Sequence, residues 1–177
     1  MKLVQIDNYI LKPTLDALTI PTIAEWFKTN PDEGIVKLTY VYHMADFNSQ
    51  YESYDDKLKH SRICEFILHN KEYQPSEDVK ELITMYKQMQ EEESPTMYLY
   101  NSAKDTLYKF AEYYRNIDFE EKDLKGQPVY KASEVAMSLS KVSAMMKAYD
   151  EMKERVKKEI FTSNKTKGDR SINKFER

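Results

Sequence analysis

Glycine is nearly missing from this chain: Gly34, Gly126 and Gly168 are the three among 177 residues. Phosphate-cradling loops and dinucleotide-binding turns need several glycines close together, because their backbone must reach positive φ or let a ligand approach to contact. Both site classes are excluded, and strand-rich architectures are disfavoured for the same reason. Cys64 is the one cysteine, so neither an intramolecular disulfide nor a multi-cysteine zinc site can form, and a reducing compartment is the expected setting. No run approaches the roughly 20 apolar residues of a membrane span. The opening Met-Lys-Leu-Val-Gln-Ile-Asp-Asn interrupts its apolar residues with polar ones, unlike a secretory signal.

Charge, by contrast, is plentiful and unevenly placed. Charged residues make up 32% of the chain, with a formal net charge of -3. Between Lys165 and Arg177 five basic residues (Lys165, Lys167, Arg170, Lys174, Arg177) meet two acidic ones (Asp169, Glu176), a net of +3 that leaves -6 for residues 1–164. A basic tail thus follows an acidic body, and no global field draws the chain to nucleic acid.

The apolar spacing predicts an all-α fold: a helical bundle with a long C-terminal helix and extended arms at both ends. A length of 177 residues fits one such domain. Residues 1–20 hold Leu3, Val4, Ile6, Tyr9, Ile10 and Leu11 without helical spacing and then Pro13, which predicts an extended N-terminal arm with one short strand. A helical domain is expected over 21–162. Pro21 opens a short helix. Asn30-Pro31-Asp32-Glu33 supplies an N-cap, a first-turn proline and acids at the positive helix end, starting a helix over 31–45. Further helices are expected over 54–68, after Pro75-Ser76-Glu77-Asp78 and after Ser94-Pro95, the last two packing as an antiparallel pair. After a connector at 117–131, the final helix should run from 132 to 161, about 45 Å at 1.5 Å per residue. Val135, Val142, Tyr149 and Val156 fall seven apart there, with Leu139, Met146 and Ile160 at the alternate positions, Lys153 interrupting, and Met145, Ala148 and Met152 widening the stripe. Residues 163–177 form the basic C-terminal tail.

Candidate chemistry is sparse. His60 and Cys64 lie four apart on a predicted helix, the minimum for an imidazole-activated thiolate, but no glycine turn nearby offers oxyanion stabilisation, and a helix-interior thiol is more often a small buried hydrophobe. His43 reads as a packing or hydrogen-bonding residue and His69 as a helix-end residue. The acidic groups Glu91-Glu92-Glu93 and Asp118, Glu120, Glu121 and Asp123 lack histidines at ligand spacing and read as solvated. No catalytic residue, metal site or cofactor is expected.

The fourteen tyrosines are the more informative surplus, because tyrosine combines large contact area with a hydroxyl that tolerates partial wetting. Tyr86, Tyr100, Tyr114 and Tyr149 read as core, and Tyr40, Tyr51, Tyr54 and Tyr113 as surface contacts. In the tail, Ile172 and Phe175 lie three apart and suit docking on a neighbouring subunit. A longer helix and phosphate contact are the alternatives.

Residues 40–51, Tyr-Val-Tyr-His-Met-Ala-Asp-Phe-Asn-Ser-Gln-Tyr, with Arg62 following, resemble a neck or head-to-tail connector ring protein of the crAss-like tailed bacteriophages. The likeness is strong over that segment and loose over about the first seventy residues; where the pattern has a proline after the serine, this chain has Gln50. The resemblance implies a helical virion subunit, made in the host cytoplasm, repeated as a dodecameric ring that joins portal and other neck and tail proteins around the DNA path. It implies no membrane contact and no sequence-specific DNA binding, since an acidic wall lets DNA slide. Under it, Tyr40, Tyr42, His43, Asp46, Ser49, Tyr51 and Arg62 in the body, with Lys165, Lys167, Arg170, Ile172, Phe175 and Arg177 in the tail, are interface residues. The competing readings are a cytosolic helical adaptor or regulator acting as monomer or dimer, and last a small enzyme.

Overall fold

The computed structural model describes residues 2–7 and 10–172. The chain is mostly helical and ends in a long helix. Strands β1 (Val4–Asp7) and β2 (Ile10–Pro13) precede a short 3-10 turn and helices α1 (Pro21–Thr29), α2 (Pro31–Ala45), α3 (Asp56–Phe66), α4 (Glu77–Glu93), α5 (Pro95–Arg115) and α6 (Ala132–Ile172). The chain divides between Glu92 and Glu93 into two compact units, where the spacing suggested one helical domain.

In the first unit α2 starts at the expected Asn30 cap, while α3, expected from Tyr54, begins at Asp56 behind an Asp55 cap. The Asn30 side chain accepts from the amides of Asp32 and Glu33, and the Asp55 carboxylate from those of Lys57 and Leu58, meeting donors that a helix cannot satisfy internally. Gly34 sits where α2 passes α1; a Cβ there would lie 3.3 Å from the Trp26 carbonyl carbon, so the absent side chain sets how closely the helices approach. The indole of Trp26 donates to Asp78 Oδ2 at 2.6 Å, tying α1 to the start of α4.

Residues 1–20 are not a free arm. β1 and β2 pair antiparallel, with Val4 opposite Pro13 and Ile6 opposite Leu11. The Thr14 amide donates to the Leu3 carbonyl at 3.0 Å and its hydroxyl to that of Lys2 at 2.6 Å, closing the hairpin. Leu3, Val4 and Ala17 are buried with Ile23, Leu38, Val41, Ile63, Val79 and Leu82 in one core. Apolar residues without helical period still leave water, here as a hairpin, because burial returns about 25 cal/mol per Å².

The second unit is a pair of helices. The structure assigns α4 to the first unit and α5 to the second, where α5 packs on α6. Three contacts set the antiparallel register: Tyr114 Oη donates to Ser138 Oγ at 2.8 Å, the Tyr100 and Tyr149 rings stack with hydroxyls 2.5 Å apart, and the Ser94 and Thr96 hydroxyls reach the Glu159 carboxylate. Along α6 Val135, Ser138, Val142, Met145, Tyr149, Met152, Val156 and Glu159 are shielded in alternating steps of three and four, as a two-helix seam requires, and Lys153 and the expected Ile160 are half-buried beside them. Leu139 and Met146, expected on that seam, are instead 48% and 55% exposed. The seven-residue series starting at Val135 holds, but its companion row lies three residues on, at Ser138 and Met145, where polar and flexible residues hid it.

The α6 backbone continues helical to Ile172, beyond the expected end at 161. No proline interrupts it, and cations suit the negative end of a helix. Lys165, Lys167, Arg170 and Ile172 fall on this stretch, which corrects the expectation of an extended tail from 163; Phe175 and Arg177 lie outside the described residues.

Burial along α6 predicts opposite costs for two neighbouring rows. Val156→Ala should destabilise by about 1–3 kcal/mol in urea unfolding, whereas Met146→Ala should change stability by less than about 0.5 kcal/mol.

Candidate functional site

The segment at 40–51 is the end of α2 and the turns that follow, and Tyr40, Tyr42, Asp46, Ser49 and Tyr51 are buried there while Asn48 and Gln50 are exposed. The Asp46 amide donates to the Tyr42 carbonyl at 2.8 Å as the helix stops. Asp46 Oδ1 accepts from the Asn48 amide at 2.8 Å and from Asn48 Nδ2 at 3.1 Å, while Oδ2 accepts from the Tyr86 hydroxyl at 2.5 Å. Ser49 Oγ donates to the His43 carbonyl at 2.9 Å and accepts from the Tyr51 amide at 3.2 Å. The carbonyls left open at the helix end are met from afar: Lys59 Nζ donates to Met44 O at 3.3 Å and Gln90 Nε2 to Ala45 O at 2.9 Å, while Gln90 Oε1 accepts from the Phe47 amide. The His43 ring lies edge-on between Tyr42 and Tyr51, and burial lowers its pKa against an opposing pull from Asp46. Burial, followed by the Asp46 charge, raises the Tyr86 hydroxyl, which therefore remains a donor.

Five of the interface candidates are buried within the single chain. Tyr40 and Tyr51 are 2% and 8% exposed, and Tyr42, Asp46 and Ser49 are equally buried, so these side chains help to organise the first unit. His43 is half-buried. Arg62 is exposed and lies 5.3 Å above the Phe66 ring. Tyr54 and Tyr113 are exposed, as expected of contact residues. Gln90 and Lys59, which complete the network, carry no local sequence signal; only the fold brings them to the end of α2.

Behind Tyr40, spacing correctly anticipated that His60 and Cys64 meet. Tyr40 Oη lies 2.8 Å from His60 Nδ1, and Cys64 Sγ is 3.6 Å from the same nitrogen. Burial raises the Cys64 thiol, the reverse of what a nucleophile needs, and raises Tyr73, packed on Tyr40, to about 12. Among the described residues no cluster of His, Cys, Asp or Glu has a metal-holding arrangement, and no helix is long and apolar enough to cross a membrane.

Two surface features remain. In the first unit an open groove of about 640 Å³ lies between α3 and α4, with Tyr40, Met44, His60, Pro75 and Ile83 along it and Asp56, Lys80, Lys87 and Glu91 at its sides. The Lys87 ammonium pairs with Asp56 at 3.2 Å and that of Lys80 with Glu77 at 3.1 Å. In the second unit the connector between α5 and α6 is pinned by Asp123, whose Oδ1 accepts from the Lys125 and Gln127 amides at 2.8 Å each, and Gly126 takes a φ of 75° to turn the chain. Leu124 stands fully exposed on this turn, with Phe119 and Val129 also open to solvent.

Two measurements check the interior. Tyr86→Phe should cost about 1–3 kcal/mol in chemical denaturation, because it strips a buried carboxylate of a donor, while Tyr54→Phe should be silent. Cys64 should react with an aromatic disulfide reagent at the rate of unfolding, and at ordinary thiol rates in denaturant; fast labelling of the native chain would contradict the buried, protonated thiol. No protein-family model, curated protein or solved structure matches the chain, which leaves its functional reading to the geometry and to the residue pattern at 40–51.

Proposed function

We propose that this chain is a non-enzymatic structural subunit that assembles with copies of itself into a ring at the head-to-tail junction of a tailed phage, between portal and tail and around the DNA path. The observation that carries assembly is the second unit. Its two helices share a single seam, so Tyr98, Leu99, Met137, Leu139 and Met146 stay in solvent on rigid helices, and Leu124 is held out on a hydrogen-bonded turn. Apolar groups fixed in place on a scaffold bind at low entropic cost, and clusters of them mark contact surfaces. The resemblance at 40–51 supplies the phage connector. The buried thiol, with its raised pKa, speaks against the enzyme reading. A twelvefold ring places each copy between two neighbours, which needs two different contact faces per chain.

The test is stoichiometry. Quantitative mass spectrometry of purified virions should find this chain at about one copy per portal subunit, and the purified protein should form a ring alone or on the portal. Absence from virions, with a monomer or dimer persisting in the presence of portal, would replace this reading with the adaptor.

A further inference from the structure

We infer that Tyr100 and Tyr149 form an oxidative modification site, at which a one-electron oxidant couples the two phenol rings into a dityrosine that staples α5 to α6. Geometry is the first argument. The rings stack with centroids 4.7 Å apart and planes at 20°, and their hydroxyl oxygens lie 2.5 Å apart. The oxygens are closer than the ring centres, so the rings converge at their hydroxyl ends. The unpaired electron of a phenoxyl radical resides on its oxygen and on the ortho and para carbons, and the ortho carbons flank the hydroxyl. The atoms that bond in a dityrosine are therefore the ones brought together, as proximity catalysis requires. Tyr40 and Tyr73, by comparison, cross at 52° with the Tyr40 hydroxyl engaged by His60, and Tyr113 and Tyr130 cross at 71° with centroids 6.3 Å apart.

Burial orders the steps. Tyr100 is fully buried and Tyr149 half-buried. Tyr149 is the ring that an oxidant in solution reaches, and Tyr100 is oxidised through it, by passing its hydroxyl hydrogen atom across the contact to the Tyr149 phenoxyl oxygen. A second oxidation of Tyr149 then leaves two phenoxyl radicals face to face. A carbon–carbon bond forms between one ortho carbon of each ring, and the hydrogens those carbons carried move to the oxygens, which restores both aromatic rings and both hydroxyls. The pair has lost two protons to water and two electrons to two equivalents of the oxidant, for which a peroxide-activated haem is the chemical class. No oxygen atom enters the product.

The position gives the bond its effect. The second unit has a two-helix seam, and Cys64, the one cysteine of the chain, lies in the first unit, so no disulfide can bridge α5 to α6. A dityrosine joins positions 49 residues apart. Closing a loop of that span removes conformational entropy from the unfolded chain, as a disulfide does, but through a bond that thiol reductants do not cleave.

Photo-oxidation of the full-length chain with tris(bipyridine)ruthenium and persulfate tests the site, read by mass spectrometry after digestion. A peptide pair joined through Tyr100 and Tyr149, lighter by two hydrogen atoms, should form at least about tenfold more than the product of any other tyrosine pair. Unfolding the chain in urea before illumination should abolish that preference. Tyr149→Phe keeps a ring on Tyr100 but removes the phenol, so it should retain its helicity by circular dichroism and lose the product; if it fails to fold, the comparison of native with urea-unfolded wild type decides alone. The photo-oxidised wild type should also unfold at a higher urea concentration than the untreated chain. Equal yields from native and unfolded chains overturn the site. So does a product that joins isotope-labelled to unlabelled chains, or oxidation of other tyrosines without this one.

Discussion

The buried carboxylate of Asp46 is the constraint around which the first unit is built. A charge at 7% exposure is costly unless its oxygens are occupied, and here Asn48 takes one oxygen and Tyr86 the other. Tyr86 comes from the middle of α4, so satisfying Asp46 fixes where α4 crosses the end of α2. Gln90, one turn further along α4, then bridges Ala45 and Phe47 and holds the turns that follow. Ser49 closes the last of them onto His43. The segment that looks most like a functional signature is thus a helix terminus in which Asp46, Asn48 and Ser49 have structural work.

That arrangement explains why the interior holds a histidine and a thiol without acquiring the marks of a catalytic centre. His60 is engaged by the Tyr40 hydroxyl, and Cys64 sits in apolar surroundings that hold it protonated. The burial that packs the unit also desolvates the Cys64 thiol and keeps it protonated, which works against nucleophile activation.

The second unit follows a different logic. With two helices there is a seam but no enclosed core, so the apolar surplus of α5 and α6 stays outside. Tyr100 and Tyr149 make the seam specific by stacking and sharing a hydroxyl contact. Such a unit is well suited to meeting other proteins, and the proposed assembly draws on that property.

Local chemistry in the sequence determined the helix content, the starts of α2 and α5, the long last helix and the meeting of His60 with Cys64, because caps, prolines and four-residue spacings act within one or two turns. Tertiary structure alone decided the rest. Whether Tyr40 faces solvent or core depends on His60 of α3 closing over it, and Asp46 tolerates burial because of Tyr86, forty residues away. The seam of α6 was misplaced because Ser138 and Met145 are weaker apolar signals than Leu139 and Met146; which row is covered is set by α5, through Tyr100, Tyr114 and the hydroxyls that reach Glu159. Periodicity reveals that a helix has an apolar face, but when two rows compete, the partner chooses between them.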